Sequence, residues 1–265
     1  MKLNSTMAIE VAVLCLLAAS TASYAQIDTI RLKEKRLNTA SLKPGMRQYL
    51  VYSQSSAAPH VLGFSLWQRN TQIQDRNGEK VFVTIQHWYG TDTLNYRVVY
   101  SVNRVSDFSP VYHSETVQGK NRSYNWNATN IKGADTLKVP NMQKDFAMDF
   151  TTPNFNWNLD IETFEMLPLE ADKKFAINFY DAGSGKPQYV IYKVTGSEVI
   201  ATVDNQKADC WKLHTESEHN GQKAVQTFWI TKKSHEFLKE EDSYAGNHRY
   251  KVKLPGTAYH KLKGF

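Results

Sequence analysis

The chain has 265 residues, 41% hydrophobic, 22% charged and 12% aromatic, with a formal net charge of +6. That balance excludes disorder, whose signature is low hydrophobicity with few aromatics, and 13 Gly with 8 Pro exclude collagen-like and low-complexity chains. Two cysteines exclude a small disulfide-stapled scaffold, and a single continuously apolar segment excludes a polytopic membrane protein.

That apolar segment comes first in the chain. Residues 11–19 read VAVLCLLAA, too short to span a bilayer. Ser23 and Ala25 are small residues at the two positions a signal peptidase reads, so the sequence predicts a leader over residues 1–25, cleaved between Ala25 and Gln26. The mature chain is then periplasmic or secreted; an N-terminal helix that stays attached is the alternative. Ala12-Val13-Leu14 before Cys15 lacks the pattern of a lipid-attachment site. Lys2 and Glu10 leave together, so the mature charge stays +6, and Cys210 alone remains, unable to form an internal disulfide.

From Gln26 to residue 265 the chain reads as one β-rich domain, with a sub-boundary near residues 138–149 as the alternative. Candidate strands cover residues 48–54 and 61–68, then Asn77-Gly78, a dipeptide suited to positive φ, signals a hairpin. In residues 80–89, Phe82, Thr84, Gln86 and Trp88 alternate with Val81, Val83, Ile85 and His87, the period of a strand. A turn at Thr91-Asp92-Thr93 leads into strands over 94–105 and 111–117, and one at Gly119-Lys120-Asn121 leads into 122–128. Residues 158–167 break the pattern: Leu159, Ile161, Phe164 and Leu167 beside Asp160, Glu162 and Glu165 predict a short amphipathic helix ended by Pro168. Strands over 174–180 and 188–195 flank a loop at 181–187. Then come 208–217, a second Asn-Gly turn at Asn220-Gly221, 222–231, a turn at 232–235, 236–244 and a turn at 245–247. Finally Arg249, Lys251 and Lys253 alternate with Tyr250, Val252 and Leu254, bases on one face and apolar groups on the other. Turns recurring about every 8–12 residues suit a sandwich or barrel. The expected fold is mainly β, an antiparallel meander forming a curved, half-open barrel with a short inserted helix.

No catalytic motif of high specificity is present, so enzymatic activity, a cofactor and a metal are not expected. Gly183-Ser184-Gly185-Lys186 lacks the spacing of a phosphate loop and reads as a hairpin. His214, His219, His235 and His248 read as exposed turn residues, and Cys210 as a buried small apolar group. Asp145 with Asp149, or Asp160 with Glu162 and Glu165, could supply the acid pair of a glycosidase, but their helical spacing suits a solvated face. The basic residues of 31–36 and the tail bases Arg249, Lys251, Lys253, Lys261 and Lys263 read as solvated segments, with weak attraction to anionic lipid head groups as the alternative. No nucleic-acid-binding module accompanies them.

The aromatics are spread strand by strand. Trp67, Phe82, Trp88, Tyr100, Trp126, Phe179, Tyr192, Trp211 and Trp229, together with Trp157, would fill a curved sheet as core or line a cavity inside it. Exposed along a groove, such rings could instead stack on sugars.

The last 110 or so residues carry a resemblance. Residues 194–198 (VTGSE), 201–203, 209–213 (DCWKL) and 228–240 (FWITKKSHEFLKE) resemble a family of exported bacterial proteins of unknown function related to the lipoprotein-carrier fold. The resemblance implies a half-open antiparallel barrel wrapped around a helix, with a hydrophobic groove. On this basis the expected function is binding or carrying an apolar ligand, a lipid or acyl chain. A structural module holding an envelope protein partner, or a glycan hydrolase, are the alternatives.

Overall fold

The computed structural model describes residues 26–91, 94, 96–135 and 139–256. The leader, Cys15, the turn residues Asp92 and Thr93, and Lys261 and Lys263 lie outside the described residues.

The strands are β1 (Ile27–Ile30), β2 (Gly45–Ser55), β3 (Ala58–Arg76), β4 (Glu79–Tyr89), β5 (Arg97–Arg104), β6 (Pro110–Val117), β7 (Lys120–Trp126), β8 (Asn130–Gly133), β9 (Ala147–Asp149) and β10 (Phe155–Asn156). After α1 (Asp160–Glu165), the one α-helix among the described residues, follow β11 (Lys174–Asp181), β12 (Ser184–Ala201), β13 (Lys207–His219), β14 (Gln222–Thr231), β15 (Phe237–Tyr244) and β16 (Asn247–Lys253). All belong to one sheet that does not close on itself. Strands β2 to β9 pair in sequence, as do β11 to β16, and an antiparallel β16–β2 pairing joins the two meanders. Only β1 and β10 run parallel to a neighbour, both on β11.

The hairpins follow from their turn residues. Asn77-Gly78 and Asn220-Gly221 both take positive φ, as does Ala245-Gly246. Such pairs twist the chain in the sense flanking strands require. The loop expected over 181–187 is tighter than its sequence suggests, because Gly183 at φ 81 turns the chain at once and Asp181 pairs with Ser184. A side chain is excluded at Gly183 on a second ground, since a Cβ there would sit 2.2 Å from the Tyr124 hydroxyl.

That contact lies on the seam of the barrel. Tyr124, Trp126 and Ile131 of β7 and β8 pack against Tyr180 of β11, with Phe146, Met148 and Phe150 around them. The Trp126 and Tyr180 rings meet edge-on at 5.5 Å, and Trp126 Nε1 donates to Asn154 Oδ1 at 3.2 Å. Side chains, not a backbone ladder, bridge the gap.

Helix α1 lies inside the curved sheet. A 3-10 turn (Trp157–Leu159) leads into it, with the Asn156 side chain accepting the Asn158 N–H. The helix is shorter than its sequence period predicts, and its acids are not a solvated face. Glu162 and Glu165 are each 1% exposed, because the whole element is wrapped by strands that present Arg69 and Arg47 to it. Arg47 Nη1 reaches Glu165 Oε2 at 2.6 Å, and the Phe237 N–H donates to Glu165 Oε1 at 2.9 Å. On the apolar side Phe164 meets Tyr192 at 4.7 Å and Phe228 at 4.8 Å between ring centres. Leu159, Ile161, Leu167, Phe179, Leu213 and Phe237 complete this packed half of the barrel.

One buried histidine makes the fold sensitive to acid. His113 of β6 has Nδ1 3.0 Å from both Ser101 Oγ and the Asn156 amide nitrogen. The amide nitrogen only donates, so Nδ1 accepts and the ring proton sits on Nε2. Burial pushes the imidazole down to about 4. The folded state then binds fewer protons than the unfolded state between about pH 6.5 and pH 4, so stability is lost as pH falls through that window. Between pH 6.5 and 5 the loss from this group amounts to about 2 kcal/mol. Urea midpoints at pH 7 and 5 for the native chain and His113→Gln should differ by this amount. The subtraction also removes Glu165, which burial pushes up to about 7 and which acts in the opposite sense; equal pH slopes would refute the assignment.

Candidate functional site

Strand alternation decides which side chains face the lumen. Register places Lys251 against Val51, Tyr49 against Trp67, Trp67 against Trp88, and Trp88 against Arg97. It continues with Arg97 against Val117, and with Glu115 against Arg122. Residues opposite one another in register share a face. The inward face of β16 is thus the one carrying Arg249, Lys251 and Lys253, while Tyr250 on the other face stacks on Tyr52 at 4.8 Å. The expectation of a solvated basic tail is corrected for these residues: Lys251 is 4% exposed, because Glu240 of β15 reaches its Nζ at 2.5 Å inside the barrel.

Away from the packed half the lumen opens as a cleft of about 630 Å³. Arg69, Arg97, Lys120, Arg122, Arg249 and Lys251 face it, with Glu115, Asp160 and Asp181 opposite and Trp67, Trp88 and Trp157 in its wall. Trp67 and Trp88 stack face to face, ring centres 4.0 Å apart and planes 4° from parallel. Lys251 Nζ caps one outer face at 4.7 Å and the Arg97 guanidinium caps the other at 4.7 Å. Four strands thereby contribute one column, cation–indole–indole–cation, in which each ring's negative face holds a positive group in place. Trp157, reaching in from the 3-10 turn, is the cleft tryptophan without a cation on its ring; it packs beside Phe179 at 5.4 Å.

Buried ion pairs fix the floor. Glu240 accepts from Lys251 and, at 2.7 Å, from Arg249, which also reaches Asp242 at 2.9 Å. Burial pushes the Glu240 carboxyl up, but Lys251 and Arg249 outweigh it and hold it below its ordinary value. Arg69 lies 3.1 Å from Glu162 and donates to the Asn158 carbonyl at 2.5 Å, which Gln86 also reaches at 2.8 Å. Asn158 in turn donates to Asp181 at 3.3 Å. Burial pushes Asp181 up, against the pull of Arg97 and this hydrogen bond. A set of rigid forks, donors and acceptors interleaved beside indole rings, matches the edges of a molecule rich in hydroxyl or carboxylate oxygens.

The aromatic residues singled out from sequence do not form one lining. Trp67 and Trp88 face the cleft. Phe82, Phe179 and Tyr192 belong to the packed core, and Trp126 to the seam. Trp211 sits at the margin of that core under Lys232. Trp229 packs with Cys210 and Leu238 on the opposite face of the wall, donating to Glu198 at 3.0 Å. Tyr100 lies on that opposite face too, in a cluster with Val81, Val83 and Val102. Arg69, Arg97, Arg122 and Asp181 were not singled out; only the period-two placement of Arg97 before Val99, and of Arg122 before Tyr124, hints at them. Cys210 is buried, and burial pushes its thiol up to about 11. Among the described residues no group of three His, Cys, Asp or Glu could hold a metal, and no helix is long and apolar enough to cross a membrane.

Comparison with solved structures finds a similar chain in the crystal structure of a beta-barrel-like protein of domain of unknown function DUF1849 from Brucella abortus. The TM-score is 0.47 at 7% identity, over 80% of this chain and 98% of that one. No curated protein matches the sequence. The family model for proteins of unknown function DUF3108 matches residues 48–254, and the chain belongs to that family.

Proposed function

We propose that this protein is an exported binding protein that holds a saccharide of the cell envelope in the polar cleft of its barrel. The observation that carries the reading is the make-up of that cleft: fork-shaped charged and amide side chains, held by buried ion pairs, surround Trp157 at the open half of the lumen. Sugar rings offer apolar faces to an indole and hydroxyls to such forks. The leader expected over residues 1–25 and the resemblance of stretches within residues 194–240 to a family of exported proteins support a place in the envelope. Calorimetric titration with maltotriose and with chitotriose tests it. Binding of either should move the tryptophan emission, and Trp157→Ala should weaken it at least tenfold. Absence of heat and of any emission change with both sugars would refute the reading.

A second reading, an apolar ligand, is favoured by a separate cavity of about 250 Å³ lined by Ile200, Val203, Leu238, Val252, Leu254 and Pro255. The packed half of the lumen offers an acyl chain no such room, since α1 and its ring contacts occupy it. A fluorescent fatty acid displaced by Leu238→Glu but not by Trp157→Ala would favour this reading over the first.

A further inference from the structure

We infer that the cleft has a dedicated anion subsite at its rim, formed by Lys120, Arg122 and Arg97, which selects a saccharide carrying a negative charge. This rests on the saccharide reading above and specifies its ligand.

The argument starts from how charge is divided between floor and rim. At the floor Arg69, Arg249 and Lys251 meet four carboxylates, Asp160, Glu162, Glu240 and Asp242. At the rim the balance reverses: Arg97, Lys120 and Arg122 face only Glu115 and Asp181. Glu115 is engaged by Arg97 Nε at 2.8 Å, and Asp181 by the Asn158 amide. Among the described residues neither Lys120 nor Arg122 has an ion-pair partner, and both are exposed.

Local structure explains why these two bases point the same way. Gln118 and Gly119, both at positive φ, turn β6 into β7, so Lys120 opposes Val117 and Arg122 opposes Glu115 on the inward face. Arg97 is the third member, one strand beyond. Its guanidinium is held 4.7 Å over Trp88 and by Nε to Glu115, which leaves its two terminal nitrogens to a ligand. A pinned guanidinium loses little freedom on binding, and a second, unpaired guanidinium beside it suits a carboxylate or phosphate ester in forked geometry. The floor, by contrast, repels such a group with its surplus carboxylate. The ligand is therefore oriented, with its anion at the rim and neutral hydroxyls inward.

Calorimetry with trigalacturonate, glucose 6-phosphate and neutral maltotriose tests the inference on the full mature chain. At 50 mM salt at least one acidic sugar should bind ten or more times tighter than maltotriose, and the excess should shrink at 300 mM salt as screening grows. The double change Lys120→Ser and Arg122→Ser should abolish that excess, bringing the acidic sugar down to the affinity the same variant shows for maltotriose. Both positions are exposed, so folding is preserved and is checked by the urea midpoint. Trigalacturonate or glucose 6-phosphate showing the excess tells a carboxylate from a phosphate ester. Acidic sugars binding no better than maltotriose, or an excess that survives the double change, overturns the subsite while leaving the saccharide reading intact. No binding of any of the three overturns the subsite and, with chitotriose silent as well, the saccharide reading.

Discussion

Replacing Glu240 by Gln should destabilise the protein by about 3–5 kcal/mol, because it leaves Lys251 charged and buried without its acceptor and takes from Arg249 one of its two carboxylate partners. Glu240 is 1% exposed and Lys251 4%. Lys251 cannot turn to water without abandoning the indole column. Lys251→Met should cost less: a thioether chain still covers Trp67, and Arg249 still neutralises Glu240. The double variant should be more stable than the sum of the single effects, since it restores the charge balance that each single change breaks. Urea midpoints at pH 7 provide the comparison. A loss below about 1 kcal/mol for Glu240→Gln would mean that water reaches the pair and screens it. The carboxyl is held below its ordinary value, so its contribution is present at neutral pH and is lost as pH falls through the folded-state value.

Truncating Phe164 to Ala should cost a similar amount, about 3–5 kcal/mol, through lost burial and the cavity left behind. The ring is 0% exposed and sits between Tyr192, Phe228 and Phe179. A six-residue helix has no stability of its own, so α1 is held by such packing together with the ion pairs of Glu162 and Glu165. The same segment delivers Trp157, Asn158 and Asp160 to the cleft, and saccharide affinity should fall together with stability. Phe164→Leu, which fills most of the space, should recover the larger part of both. A variant that kept its near-ultraviolet dichroism and its urea midpoint would show that the helix is anchored elsewhere.

Much of the architecture is legible in the sequence because turns and alternation are local. The Asn-Gly pairs at 77–78 and 220–221, and the period of residues 80–89, map directly onto hairpins. The inserted helix follows from the spacing of Leu159, Ile161 and Phe164. What alternation does not say is which face turns inward. In β16 the apolar face looked like core and the basic face like solvent, and the reverse holds. Carboxylates on β15 neutralise the bases from inside, and Tyr52 covers Tyr250 from outside. The acids of α1 misled for the same reason: their partners Arg47 and Arg69 lie about a hundred residues upstream. The short strands β8, β9 and β10 carry too few residues for a period to register. The cleft itself is assembled from β3 to β7, β11, β12, β14, β16 and the 3-10 turn before α1, and no local window contains it.

The strand order also says how the molecule assembles. Nearly every pairing joins neighbours in sequence, and the exceptions are β16 with β2 and the parallel attachments of β1 and β10 to β11. Closing a short hairpin loop costs little chain entropy, whereas bringing residue 250 beside residue 52 spans almost the whole chain. Two half-sheets can therefore zip up separately. It is at this joint that the column of Lys251 on Trp67 forms. The wall of the cleft is complete only once the two half-sheets have docked, and an incompletely docked chain lacks it.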